Sequence, residues 1–461
     1  MWRPSFDSPA VMIRSAMIQS AAPDVLDACV IGAGGSGLAA AKALHDRGLV
    51  FDCFERGSAV GGLWRYDNDN GMSAIYKSLQ INTSRDMTSF ADFPMPADYP
   101  DFPRHEQIHD YLERYVDRFG FRDRIRFRTK VERVEPQAGG IFAVTFRTAD
   151  GVEESRRYRH VLVASGHHWL PRMPEFRGSF AGRILHSHDY RAPEAFAGKR
   201  VLVVGMGNSG CDIACDLARV ADRTVLSTRR GAHVIPKYLF GVPLDTVCPE
   251  FVWRFAPMWL FRRAFQTVVW MNRGTLALYG LPRPSHAVLQ EHPTISSDLP
   301  SLVREQRVIM KPDIDRLDGD AVMFADGSRE PCDAIVLATG YQVSFPFLDR
   351  EVFTADDNRV RLYRHVVHPQ VPGLFFIGLI QPWGAIFPLA EVQGAWVGDL
   401  IEGRCTLPDH ETMLQTIDDD VAAIRRRYVS SPRHTIQVDF HAYRALLRRE
   451  RRNGRRRAAI S

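Results

Sequence analysis

The chain has 461 residues, 45% of them hydrophobic and 25% charged, with a formal net charge of +5. That composition belongs to a globular protein long enough for two or three domains, and it excludes collagen-like, low-complexity and disordered classes. The seven cysteines form no C-x-x-C pair and no histidine cluster stands at zinc spacing, which argues against a disulfide framework or a metal site and for a cytoplasmic location.

Residues 1–24 contain no continuous apolar segment of signal-peptide length and read as an N-terminal extension outside the fold. From Asp27 the run D-A-C-V-I-G-A-G-G-S-G-L-A-A-A predicts a buried strand, a tight turn and a helix whose Ala39 to Ala41 permit close packing. A second strand ends at Glu55, which completes a strand-helix-strand unit of about 30 residues. Gly32, Gly34 and Gly37 fit G-x-G-x-x-G, in which glycines let backbone N–H groups approach a pyrophosphate at a positive helix N-terminus. The Glu55 carboxylate can accept both ribose hydroxyls and would repel a 2′-phosphate, so this site suits FAD or NAD rather than NADP.

The chain is expected to leave this domain through R-H-V-L-V-A-S-G, ending at Gly166, and to return through D-A-I-V-L-A-T-G, Asp333 to Gly340. Between them V-L-V-V-G-M-G-N-S-G repeats the turn at Gly205, Gly207 and Gly210. The strand after it, R-T-V-L-S-T-R-R, ends in Arg229 and Arg230 where the first ended in Glu55. Arginine forks bind phosphate bidentately, so this second site should take NADPH, with Ser227 and Thr228 as hydroxyl donors. The expected fold is α/β with two Rossmann-like domains, the NADP domain (171–332) inserted in the FAD domain (25–170 and 333–461).

Within the inserted domain, an apolar helical insertion at about 245–290 includes Phe251 to Met271. Arg254, Pro257, Arg262 and Arg263 break that stretch, so it is not a membrane span, which needs about 20 apolar residues. It reads as a cover over an apolar site, as a surface patch or as core. His167 and His168 read as domain-junction packing, and Cys211 and Cys215 as one helix face. Arg444 to Arg457 read as a solvated, partly frayed helix end. No nucleic-acid partner is expected, while peripheral membrane contact and a homodimer stay open.

Four further motifs sharpen this picture. F-A-G-R-I-L-H-S-H-D-Y, Phe180 to Tyr190, fits F-x-G-x-x-x-H-x-x-x-Y at every specified position; G-G-L-W spans Gly61 to Trp64, Y-K-S-L-Q-I-N-T-S spans Tyr76 to Ser84, and A-T-G-Y spans Ala338 to Tyr341. With the two glycine turns, these resemble the flavin-containing monooxygenases over residues 27–405. The related Baeyer–Villiger enzymes usually carry Trp at the last fingerprint place, so Tyr190 favours heteroatom oxygenation.

The resemblance implies that NADPH reduces FAD, that dioxygen adds to give a C4a-hydroperoxyflavin, and that one oxygen atom passes to an amine nitrogen or thioether sulfur of a small substrate. It implies Asn82, His186 and Tyr190 as the catalytic set, with His186 acting through the linker at least as plausibly as through proton transfer. FAD is expected on Gly32, Gly34, Gly35, Ser36 and Gly37, on Glu55 and Arg56, and on Gly62, Leu63 and Trp64. Asn82, Thr83, Val131 and Gln381 complete that set, with Pro388 opening a helix whose N-terminus faces the flavin. NADPH is expected on Gly205, Gly207, Asn208, Ser209 and Gly210, then Ser227, Arg229 and Arg230, then Thr339 and Gly340. The alternatives are Baeyer–Villiger oxidation of ketones and, further off, a two-nucleotide reductase, for which no reactive cysteine pair is visible.

Overall fold

The computed structural model describes residues 25–247, 257–429, 431 and 434–460. The N-terminal extension and residues 251–256 of the apolar stretch lie outside the described residues. Leu26–Ile31, rich in β-branched and small apolar residues, is buried along its inner length and lies between two parallel neighbours, Phe51–Phe54 and Glu153–Val163. Burial on both faces is what a parallel strand of this composition requires. Glu153–Val163 is long enough for two roles. Most of its length forms an antiparallel meander with Ile141–Arg147 and Lys130–Gln137, while Val161 to Val163 also pair with Leu374–Phe376 from the returning chain. The helix Gly35–His45 packs on Phe387–Ile401 so closely that a β-carbon at Gly394 would lie 3.1 Å from the Ala39 carbonyl oxygen. The small residues Ala39 to Ala41 make that approach feasible.

The second sheet is wholly parallel, in the order Val308–Lys311, Arg223–Ser227, Arg200–Val204, Ala334–Leu337, Arg183–His186. This corrects one expectation. The strand Ala334–Leu337 does not return the chain to the first domain; it sits beside Arg200–Val204 inside the second. A β-carbon on Gly205 would meet the Ala338 carbonyl oxygen at 2.6 Å, just as one on Gly32 would meet that of Ala164 at 2.8 Å. The motifs V-A-S-G and L-A-T-G are thus alike because each abuts the glycine turn of its own domain. The chain rejoins the first sheet after Ala334–Leu337, by a bridge from Leu348 to Val134 and then with the strand Leu374–Phe376.

The C-terminus also differs from expectation. Arg444 to Arg457 lie in a docked helix, Phe440–Ala458, with Tyr443, Leu447, Glu450 and Gly454 buried. Asp399, fully buried, receives hydrogen bonds from Arg47, Arg451 and Arg455 at 2.6–3.0 Å. An internal carboxylate therefore organises a run that charge counting assigns to solvent. Among the described residues, no helix is long and apolar enough to cross a membrane.

Candidate active site

The two glycine turns are near copies. Gly32 and Gly205 hold positive φ, 104° and 107°, where a side chain is strained. The third glycines leave no choice: a β-carbon would lie 1.8 Å from the Gly32 oxygen at Gly37, and 1.9 Å from the Gly205 oxygen at Gly210. At Gly35 it would enter the Phe387 ring at 2.2 Å. The helices beginning at Gly35 and Phe387 therefore converge, with Pro388 in the first turn of the latter as expected.

One cavity of about 1510 Å³ runs from the first turn to the second. Its wall includes Gly32, Gly34, Gly35, Ser36, Glu55 and Arg56, then Gly62, Leu63, Trp64, Asn82, Thr83, Val131 and Gln381. It continues over Gly205, Gly207, Asn208, Ser209, Gly210, Ser227, Arg229, Arg230, Thr339 and Gly340. Gly37 is absent from the wall, since its place is the helix-turn contact behind it.

The first lobe carries Glu55, whose oxygens accept N–H groups of Ala33 at 2.8 Å and Gly57 at 2.7 Å. Those bonds fix the carboxylate at the turn with lone pairs to spare for a ribose diol. The second lobe is basic, and its two arginines are not equivalent. Arg230 pairs with Glu291 at 2.8 Å, whereas exposed Arg229 has no ion pair among the described residues. The Ser227 hydroxyl donates to the Pro312 carbonyl at 2.6 Å, so it is committed and does not serve as the expected donor. Thr228 accepts from the Gly231 N–H and keeps its own proton to give. Asn208 and Thr339 brace the wall, through the Ile295 N–H at 2.7 Å and the Arg172 carbonyl at 2.6 Å.

Of the three catalytic candidates, the structure brings only Asn82 to the cavity. Its Oδ1 is buried and, among the described residues, has no partner. His186 ends its strand in register with Leu337, its Nδ1 accepting the His188 N–H at 3.0 Å and its ring 5.1 Å from that of Tyr341. Burial holds its pKa down at about 4, so the imidazole is neutral. Tyr190 is fully buried between Tyr76 and Phe196, and burial raises its phenol above the ordinary range. Neither lines the cavity; His186 packs behind the adjoining Ser187 and Tyr341, which do, and Tyr190 lies in the core of the second domain. Both fingerprint side chains therefore stand behind the cavity wall in this structure.

Sequence reasoning missed Phe387, Glu291 and Asp245 on the wall. The apolar stretch, left between cover, surface patch and core by the sequence, covers the cavity over its described part. In the helix Met258–Arg273, Phe261, Ala264, Phe265 and Val268 face the cavity at helical spacing, while Trp259, Leu260, Trp270 and Met271 face outward. His167 and His168 lie at the domain junction with ring centroids 4.2 Å apart and border the same cavity. No group of metal-ligating side chains accompanies them among the described residues.

A family model described as flavin-binding monooxygenase-like matches residues 27–449. The chain belongs to that family. It is 38% identical over 429 residues to flavin-containing monooxygenase 5 of Homo sapiens, covering 89% of this chain and 80% of that protein. Against the Oryctolagus cuniculus counterpart the identity is 40% over 432 residues, with the same coverage. Among solved structures, S-allyl-L-cysteine S-oxygenase from Allium sativum superposes with a TM-score of 0.70 at 26% identity, covering 95% of this chain and 92% of that one. An open structure of cyclohexanone monooxygenase, 19% identical, matches with a TM-score of 0.68 over 94% of this chain and 98% of that one, and shares the fold. The protein is accordingly an FAD- and NADPH-dependent monooxygenase. The residues fit both groups: two cradles that any β-carbon would fill, an acid at one and a free arginine at the other, and an orphaned amide oxygen between them.

Proposed function

We propose that this chain oxygenates small thioethers and tertiary amines, with FAD in the Glu55 lobe, NADPH in the Arg229 lobe and Asn82 where the two meet. The observation that carries this reading is the single cavity joining both turns past Asn82. The chemistry supplied by bound FAD is acceptance of a hydride from NADPH and activation of dioxygen. The protein's part is placement and exclusion of water. Backbone N–H groups of the two turns hold the pyrophosphates, and Glu55 orients one ribose while Arg229 holds the 2′-phosphate of the other. The Asn82 amide can donate and accept at once, so it orients flavin and nicotinamide groups without adding charge. Phe261, Phe265 and Val268 close the lobe with apolar surface, which keeps bulk water from the reacting atoms. We place the enzyme in the cytoplasm, in keeping with its described cysteines, all free and buried.

The test is a product balance. Purified holoenzyme receives NADPH, air and separate thioethers, tertiary amines and ketones. Sulfoxide or N-oxide close to one per NADPH is expected. Ester or lactone from ketones with no heteroatom product would assign Baeyer–Villiger chemistry instead, and NADPH consumption ending wholly in hydrogen peroxide would overturn oxygen transfer.

A further inference from the structure

The cavity's carboxylates, among the described residues, are Glu55, Asp245, Glu291 and Asp313. Glu55 is held by backbone N–H groups at the first turn and Glu291 by Arg230. Asp313 is exposed to water. Asp245 differs from all three. Its Oδ2 accepts the Ser84 N–H at 2.6 Å, while its Oδ1 is buried and, among the described residues, has no hydrogen-bond partner. No cation pairs with it among the described residues, and its charged neighbour is another acid, Asp86. Burial accordingly raises its pKa above the ordinary carboxylate range.

An unpaired carboxylate withdrawn from water is costly unless a donor completes it. Its position names the donor's setting. Asp245 grips the residue two beyond Asn82, and the cavity that it lines also carries the apolar side chains of Leu244, Phe261, Phe265 and Val268. A group reaching Asp245 therefore lies along an apolar surface with its other end near Asn82.

Resting on the oxygenation proposed above, we infer that Asp245 is a substrate-recognition residue for a cationic head group, and that the substrate class is an aminoalkyl thioether. The reason for sulfur is chemical. A protonated amine has no lone pair, so an ammonium held on Asp245 cannot be the oxygenated atom, and a second nucleophile a few bonds away must be. The sulfur lone pair forms the new S–O bond with one atom of dioxygen. The other oxygen leaves as water, with two electrons from NADPH and one further proton.

The test compares methylthioethylamine with its uncharged isostere, methyl propyl sulfide, in FAD-loaded wild type and Asp245→Asn, a variant that keeps an oxygen for the Ser84 N–H. Sulfoxide formation is followed at a pH where the amine is protonated. The ratio of kcat/KM, charged over uncharged, is expected to fall at least tenfold in the variant, mainly through KM. An unchanged ratio overturns the inference. So does an equal loss for both sulfides with a raised KM for NADPH, which would make Asp245 a clamp on the Asn82 segment or a nicotinamide contact. If wild type oxidises neither sulfide, the oxygenation reading fails by itself. Titrating the flavin absorbance with methylthioethylamine then still reads the site: binding tenfold weaker in Asp245→Asn supports the carboxylate as its receptor, and equal binding refutes it.

Discussion

Arg229 should decide the coenzyme. It follows the strand Arg223–Ser227 on the wall of the second lobe, and among the described residues no acid engages it, whereas Arg230 is paired with Glu291 at 2.8 Å. The guanidinium of Arg229 is therefore wholly available to a 2′-phosphate. Charge-assisted hydrogen bonds of this kind contribute about 1.5–3 kcal/mol each. At about 1.4 kcal/mol per decade, Arg229→Gln should lower the apparent affinity for NADPH roughly 10- to 150-fold. NADH has no 2′-phosphate, and its affinity should change by less than about twofold, since the backbone cradle and Asn208 are untouched. Arg230→Gln should cost NADPH binding less, because that side chain already shares its charge with Glu291. The assay is the rate of anaerobic flavin reduction against coenzyme concentration, with NADPH and NADH in parallel. An equal loss for both coenzymes would show that Arg229 supports the fold of the lobe and does not read the phosphate. Unaltered NADPH saturation would remove it from the site.

Three further outcomes are expected. Gly210→Ala should abolish saturable NADPH reduction while the purified protein stays yellow, because its β-carbon would lie 1.9 Å from the Gly205 oxygen in the second turn alone; loss of FAD with it would show that the two turns do not act separately. Asn82→Asp should retain FAD and NADPH oxidation but divert at least tenfold more of the consumed NADPH to hydrogen peroxide, measured against sulfoxide, because a carboxylate cannot donate as the amide does. Asp399→Asn should lower stability by about 3 kcal/mol, the low end for a broken buried pair since Arg455 reaches solvent, and the apparent Tm by several degrees. Burial alone would raise the Asp399 pKa, but hydrogen bonds from Arg451, Arg47 and Arg455 outweigh it and hold it well below the usual range. Its contribution is therefore present above about pH 4 and lost as the pH falls below that, whereas the variant should show a flatter acid limb in thermal melts.

What was legible in the sequence was what local sterics dictate. Gly32, Gly37, Gly205 and Gly210 are required by contacts within one turn and the strand beside it, so the motif and the geometry are nearly the same statement. The helix Met258–Arg273 falls within the stretch expected to be helical, but which of its faces meets the cavity was not legible. The misreadings share a different cause. The strand Ala334–Leu337 resembles Glu153–Val163 because both close a glycine turn, and resemblance alone could not say which turn. The arginine run looked solvated because its partner, Asp399, lies 52 residues before Arg451. Asp245 was invisible for the same reason, its one hydrogen bond spanning 161 residues to Ser84. His186 and Tyr190 carried the fingerprint, yet strand register turns His186 inward against Tyr341 and leaves Ser187 on the wall.

The segment Tyr76 to Ser84 ties these parts together. It belongs in sequence to the first domain and keeps bonds there, the Ile81 N–H donating to the Pro103 carbonyl at 3.0 Å and the His105 N–H to the Leu79 carbonyl at 3.2 Å, but the second domain holds it as well. Tyr76 donates to Asp212 at 2.6 Å and Ser78 donates to Asp216, both acids on the helix Asn208–Leu217 that begins at the second glycine turn. Lys237 reaches Gln80 at 3.2 Å, and Asp245 takes the Ser84 N–H. Asn82 thus sits on a segment tethered to both domains. A coenzyme that holds the second domain against the first therefore also steadies, from its side, the segment that carries Asn82 beside the flavin lobe.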